Sequence, residues 1–123
     1  MTDAENQASK VDLAAALATF DEPWSPRIVA RYNRNKVFLA KARGEFVWHT
    51  HPDTDDLFLV LEGRLTIQLR DRDVELGPGE LFVVPRGVEH CPRSTQGAAI
   101  LVIEPEGTPN TGDPATSADE LEL

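Results

Sequence analysis

One cysteine, one methionine, one tyrosine and three histidines are all that 123 residues supply of those types. A single cysteine, Cys91, cannot close an internal disulfide, which excludes a disulfide scaffold and fits a reducing compartment. Positive charge is scarce as well: 12 Lys and Arg against 21 Asp and Glu leave a formal charge of -9. Nucleic-acid binding rests on basic side chains that neutralise phosphates, so this balance argues against such a partner, and an anionic membrane surface would repel the chain. No basic recognition helix of a DNA-binding regulator is visible. No apolar run approaches the ~20 residues of a membrane-spanning helix. The opening MTDAENQASK lacks the basic and apolar regions of a secretory signal. The expectation is a soluble, cytoplasmic protein with no nucleic-acid or membrane partner.

What is present reads as one domain, long enough to bury roughly two-thirds of its unfolded surface. Nine prolines and eight glycines separate short apolar runs, the pattern of an all-β sandwich or barrel. Residues 1–10 are polar and expected to fray. Residues 11–20 (VDLAAALATF) place Leu13, Leu17 and Phe20 at helical spacing, so a short amphipathic helix capping the barrel is expected, ended by Pro23 and Pro26.

From Ile28 to Ile103, strands alternate with turn signals at Asn33-Arg34-Asn35, Glu62-Gly63, Asp71-Arg72-Asp73, Gly77-Pro78-Gly79 and Gly97. Between Arg64 and Arg70 the alternation is strict, with Leu65, Ile67 and Leu69 facing a core. Leu57–Leu61 and Leu81–Val84 are apolar on both faces. Such strands need a second cover from a sheet, a helix or a partner subunit, and a homodimer is expected. After Glu104 the composition turns to Pro, Gly, Thr and acidic residues, expected to run as an extended arm and then a disordered tail, with residues 105–112 the part able to pack. The expected organisation is a tail and short helix over 1–27, a barrel over 28–105 and an extended or disordered tail over 106–123.

His49 and His51 stand at i and i+2 on an extended segment, so their imidazoles point to one face and can reach one ion. His90 follows the turn Pro85-Arg86-Gly87. A nearby carboxylate would complete a site for Fe, Mn, Ni or Zn. Asp53 and Asp55 read as turn residues whose side chains bond local amides, whereas Asp56 opens the next strand and can point inward. Glu89 and Cys91 flank His90 and face the other way, Cys91 as a small buried apolar residue. Trp48 likewise faces away from the ion and is expected to pack between sheets or at a dimer contact. Phe38, Phe46, Phe58 and Phe82 are expected in the core or along a cavity, and Arg43, Arg64 and Arg86 in solvent.

The spacing Gly44-x4-His49-x-His51-x4-Asp56-x6-Gly63, followed by Gly79-x5-Pro85-x-Gly87-x2-His90-x3-Ser94, resembles the two motifs of the cupin superfamily. More narrowly it resembles the small single-domain bacterial cupins described as mannose-6-phosphate-isomerase-like. The resemblance implies an antiparallel double-stranded β-helix of six to eight strands, a jelly-roll barrel with a metal inside. By motif position His49, His51 and His90 would be ligands, and Asp56 would stand where the family has glutamate. Gly63, Gly79 and Gly87 would shape positive-φ turns, and Pro85 would close a strand. Gly44 lies one residue nearer His49 than usual, a shift that a bulge can absorb. Ser94 replaces a frequent asparagine.

Asp56 is one methylene shorter than glutamate. A carboxylate rooted there either binds the ion, binds through water, or misses it. A three-histidine centre would resemble cupin thiol dioxygenases; a centre with three histidines and one carboxylate would resemble cupin isomerases, oxidases and lyases. The resemblance therefore implies metal-dependent catalysis on a small oxygenated metabolite, with a non-catalytic metal or small-molecule binding or sensing module as the alternative. No separate nucleophile or base with a convincing partner is visible.

Overall fold

Asn33 and Arg34 both take left-handed backbone, φ 47° and 64°. That two-residue reversal matches the twist of antiparallel strands and turns β1 (Arg27–Tyr32) onto β2 (Asn35–Glu45). The computed structural model describes residues 9–123, so most of the stretch expected to fray lies outside the described residues. Six further strands follow: β3 (Asp56–Gly63), β4 (Leu65–Leu69), β5 (Asp73–Leu76), β6 (Leu81–Val84), β7 (His90–Pro105) and β8 (Leu121–Glu122). The architecture is the expected all-β jelly roll. Among the described residues no helix is long and apolar enough to cross a membrane.

Strand β7 organises the barrel by serving two neighbours in turn. Its residues 90–93 pair with β4, its residues 98–103 pair with β3, and β2 runs along its other edge. Gly97, read from sequence as a turn, instead lies within this continuous strand at the change of partner. Opposite it the register of β2 shifts between Ala42 and Gly44, the bulge that absorbs the short Gly44 spacing. Gly63, at the end of β3, has φ 77°, as its turn requires.

Alternation fills the interior. Leu65 and Ile67 are fully buried and Leu69 nearly so, joined by Phe38, Phe58, Val60, Ile100 and Val102 from the facing strands. The short helix α1 (Leu13–Leu17) covers part of the outer face. Its N-cap is Asp12, whose carboxylate accepts from Ala15 N–H at 3.1 Å. Leu17 and Phe20 pack on Leu39 and Ala99, with Val29, Leu61 and Leu101 around them. A helix therefore supplies the second cover at this end of β3. Farther along, Leu57 and Leu59 are half-buried, and Val83 and Leu81 stay 42% and 56% exposed.

The C-terminal segment packs over residues 105–112, the part expected able to do so, and its later part pairs again with the barrel where an extended or disordered tail was expected. It returns to the barrel, with Thr108 and Asn110 buried and β8 pairing parallel to Arg27–Ile28. Polar side chains, not apolar ones, bring it back: Lys36 Nζ donates to Thr108 O (2.9 Å) and Glu120 Oε1 (2.5 Å).

Candidate metal centre

His49 and His90 are direct cross-strand neighbours. Each backbone N–H donates to the other's carbonyl, at 3.0 and 2.9 Å, and their ring centroids lie 4.2 Å apart. Local carbonyls aim both rings: His49 Nδ1 is 2.8 Å from Val47 O, and His90 Nδ1 is 2.9 Å from Val88 O. A ring N–H donated at Nδ1 leaves Nε2 as the free ligand atom. His51 shares the face of His49, and its Nε2 lies 3.0 Å from Asp56 Oδ2. All four candidate ligands meet, one donor atom of each lying within 4.8 Å of the others.

The donor set fits a metal ion. His90 Nε2 and Asp56 Oδ1 are buried without a hydrogen-bond partner, and buried His51 Nε2 has only the Asp56 carboxylate beside it. Each such atom costs about 1–3 kcal/mol when left unsatisfied. One divalent cation would satisfy all three at once, and donors at ~2.1 Å from an ion lie at most about 4.2 Å apart, so only slight closure is needed. Burial pushes the His49 imidazole down to about 4 and also lowers His90, which keeps both rings in the neutral form that ligates. Burial works to raise the Asp56 carboxyl, but His51 and Glu104 outweigh it and hold Asp56 below the usual carboxylate range.

Glu104 was not singled out by sequence. It continues the inward positions Ala98, Ile100 and Val102 of β7, and a carboxylate on that apolar face was the available signal. Burial first, then the charge of Asp56, pushes its carboxyl up to about 9 against the pull of Lys36 at 3.3 Å. At neutral pH Glu104 is protonated and bonds to Asp56.

Beside the donors lies a cavity of about 40 Å³, walled by Trp24, Phe46 and Phe58 and bordered by His49, Asp56 and Glu104. Trp24, also missed by sequence, is fixed by its Nε1–H to Arg43 O at 2.8 Å. Other expectations resolve individually. Asp55 lies outside the donor set but, contrary to expectation, bonds no local amide. It accepts from Arg86 N–H at 2.8 Å and from the Arg86 guanidinium at 3.3 Å, 31 residues along the chain. Trp48 lies under the Arg70 guanidinium at 3.8 Å instead of between sheets. Cys91 is buried, and burial pushes its thiol up, so it is unreactive. Ser94 donates to Arg64 O at 2.6 Å and accepts from Gly97 N–H, a structural role beside the bulge.

A jelly-roll barrel with a histidine-rich set of candidate ligands on its inner wall defines a class of small β-barrels able to hold a metal. The chain belongs to the cupin family: the cupin domain model matches residues 36–104. It is similar to a cupin-2 domain containing protein from Shewanella frigidimarina NCIMB 400, with TM-score 0.78 and 40% identity over 83% of this chain and 98% of that one. It is 38% identical over 77 residues to the uncharacterized protein YdbB of Bacillus subtilis (strain 168), covering 62% of this chain and 68% of that protein. It is also 38% identical over 60 residues to a 3-hydroxyanthranilate 3,4-dioxygenase of Xanthomonas euvesicatoria pv. vesicatoria (strain 85-10), covering 46% of this chain and 34% of that enzyme. The chain thus spans about a third of the dioxygenase.

Proposed function

We propose that His49, His51, Asp56 and His90 hold one divalent transition metal, Fe, Mn, Ni or Zn, and that the chain uses it for catalysis on a small oxygenated metabolite, of isomerase, lyase or dioxygenase type. The observation that carries this reading is the convergence of four candidate ligands within 4.8 Å of one another, with buried His90 Nε2 and Asp56 Oδ1 left without a partner. The partial match to a 3-hydroxyanthranilate 3,4-dioxygenase supports oxygen chemistry within that range. Asp56 belongs to the set because its carboxylate is buried, ionised and 3.0 Å from His51 Nε2 despite its short stem.

A bound ion would supply Lewis acidity and open positions for a substrate oxygen. The chain supplies the remainder. The Val47 and Val88 carbonyls fix two ring orientations, Glu104 holds a proton against Asp56 and so orients its carboxylate, and Trp24, Phe46 and Phe58 keep the space dry.

Elemental analysis after metal-replete expression tests the reading. One transition metal per chain is expected, with His51→Ala losing it and Asp56→Ala weakening its retention. A wild-type protein with no stoichiometric metal overturns it. Oxygen uptake and turnover with keto acids, phenols, thiols and sugars then test catalysis; metal without turnover of any class would turn the reading to a binding module.

We also propose that a second copy of the chain covers Leu57, Leu59, Leu81 and Val83, the part of the outer face that α1 leaves open. Four neighbouring aliphatic side chains on an edge of the sheet support a homodimer.

A further inference from the structure

We infer that residues 106–122 form a hinged strap over the metal cavity, latched on Lys36, and that a metabolite reaches the centre when this strap opens. The inference rests on the metal-centre reading for its purpose and on the packing of the segment for its mechanics.

Space requires a moving wall. A cavity of about 40 Å³ holds a few waters. Pockets that enclose metabolites measure roughly 300 Å³ or more. Most of the cavity wall is barrel strand, and β7 and β2 are paired along both edges. Trp24, Phe46 and His49 border the cavity from outside the strands but are tied to them by backbone hydrogen bonds, Trp24 N–H to Lys41 O (2.8 Å), Phe46 N–H to Pro92 O (2.9 Å) and His49 N–H to His90 O (3.0 Å). Asn110, by contrast, borders it from the C-terminal segment. Two residues on, Gly112 sits tight against the ligand strand: a Cβ there would lie 2.5 Å from Thr50 O and 3.5 Å from His49 Cβ. The segment therefore closes the site beside one of its own ligands.

Its attachments suit release. Thr108 and Asn110 are its buried residues, and both are polar. Asn110 Nδ2 donates to Ala118 O at 2.8 Å and to Glu120 Oε2 at 2.9 Å, while Lys36 Nζ holds the other Glu120 oxygen. Glu120 is thus the knot between segment and barrel. Beyond it, β8 offers one two-residue pairing, and Arg31 binds Glu106 and Glu122 at the exposed surface, where ion pairs hold weakly. Gly107 and Gly112, at φ 84° and 78°, bracket the cavity-facing stretch and can absorb a change of direction. When Glu120 departs, Lys36 still has the Glu104 carboxyl oxygen at 3.3 Å as a polar neighbour.

Hydrogen exchange and metal extraction test the strap together. In the wild type, the Ala118 and Leu121 amides are expected to exchange as a group well ahead of Ile67 and Ile100. Glu120→Gln removes one charge-assisted hydrogen bond and should speed the strap amides about tenfold with the barrel amides unchanged. Zinc-loaded Glu120→Gln should yield its metal to EDTA about tenfold faster at unchanged stoichiometry. Arg31→Gln, which frees Glu106 and Glu122 at the surface, should move the same amides by a smaller factor. Strap amides as protected as the barrel's, or equal extraction rates from fully loaded proteins, overturn the strap. Failure to take up zinc overturns the metal centre instead, and the exchange data on the metal-free protein still decide the strap.

Discussion

Asp56 and Glu104 face each other inside the barrel from adjacent paired strands, one carboxylate held ionised against one carboxyl held protonated. Glu104→Gln keeps the size and a donor N–H, so metal affinity at neutral pH should stay close to wild type. Glu104→Leu deprives Asp56 of that donor and Lys36 of a polar neighbour at 3.3 Å. Loss of such an outer partner weakens metal affinity about 10–100-fold, readable by competition with a chromophoric chelator.

The burial of His49 contributes to the acid sensitivity of the metal-free protein. Its folded-state imidazole takes a proton only near 4, against an ordinary value of 6.5. Below 6.5 the unfolded chain therefore binds a proton that the folded barrel refuses. Stability from this group is full above about pH 6.5 and is lost as pH falls toward about 4. Thermal melts of the metal-free protein should show the midpoint dropping across that window, and His49→Gln should flatten part of the slope.

Asp56 and His90 were legible because their spacings resemble the cupin motifs, and His49 and His51 because an i, i+2 spacing on extended backbone becomes one direction. The same rule fixed Leu65, Ile67 and Leu69 in the core. Glu104 was not legible, because its inward direction depends on the register of β7 beyond the irregularity at Gly97. Nor was the return of the later part of the C-terminal segment: it rests on Lys36 meeting Glu120, 84 residues away, a polar pairing with no periodic trace. Alternation could not name Arg70 as the partner of Trp48.

Leu81 tests the proposed dimer. It is 56% exposed and lies beside Leu59 across the β3–β6 pairing. Leu81→Lys places a charge in the middle of that apolar area while leaving the core untouched. Light scattering coupled to size exclusion should give a dimer mass for the wild type and a monomer mass for the variant, with metal content unchanged. A wild-type monomer at micromolar concentration would remove the dimer.

Gly63 and Gly79 separate backbone strain from steric overlap at the partner change of β7. Both have left-handed backbone, φ 77° and 80°. A Cβ on Gly79 meets nothing within 4 Å, so Gly79→Ala should cost only the conformational penalty, about 1 kcal/mol. A Cβ on Gly63 would overlap the Gly97 carbonyl oxygen and lie 2.9 Å from Ala98 Cα. Those are backbone atoms of a strand held by β2, so they cannot rotate aside as a side chain would. Gly63→Ala therefore adds a packing cost of about 1–3 kcal/mol to the same strain. Urea midpoints should fall more for Gly63→Ala than for Gly79→Ala. Because the overlap lies where β7 passes from β4 to β3, hydrogen exchange should also rise at Ala98 and Ala99 in the Gly63 variant alone. Equal destabilisation by the two substitutions would mean that the close approach of Gly63 to Gly97 contributes nothing.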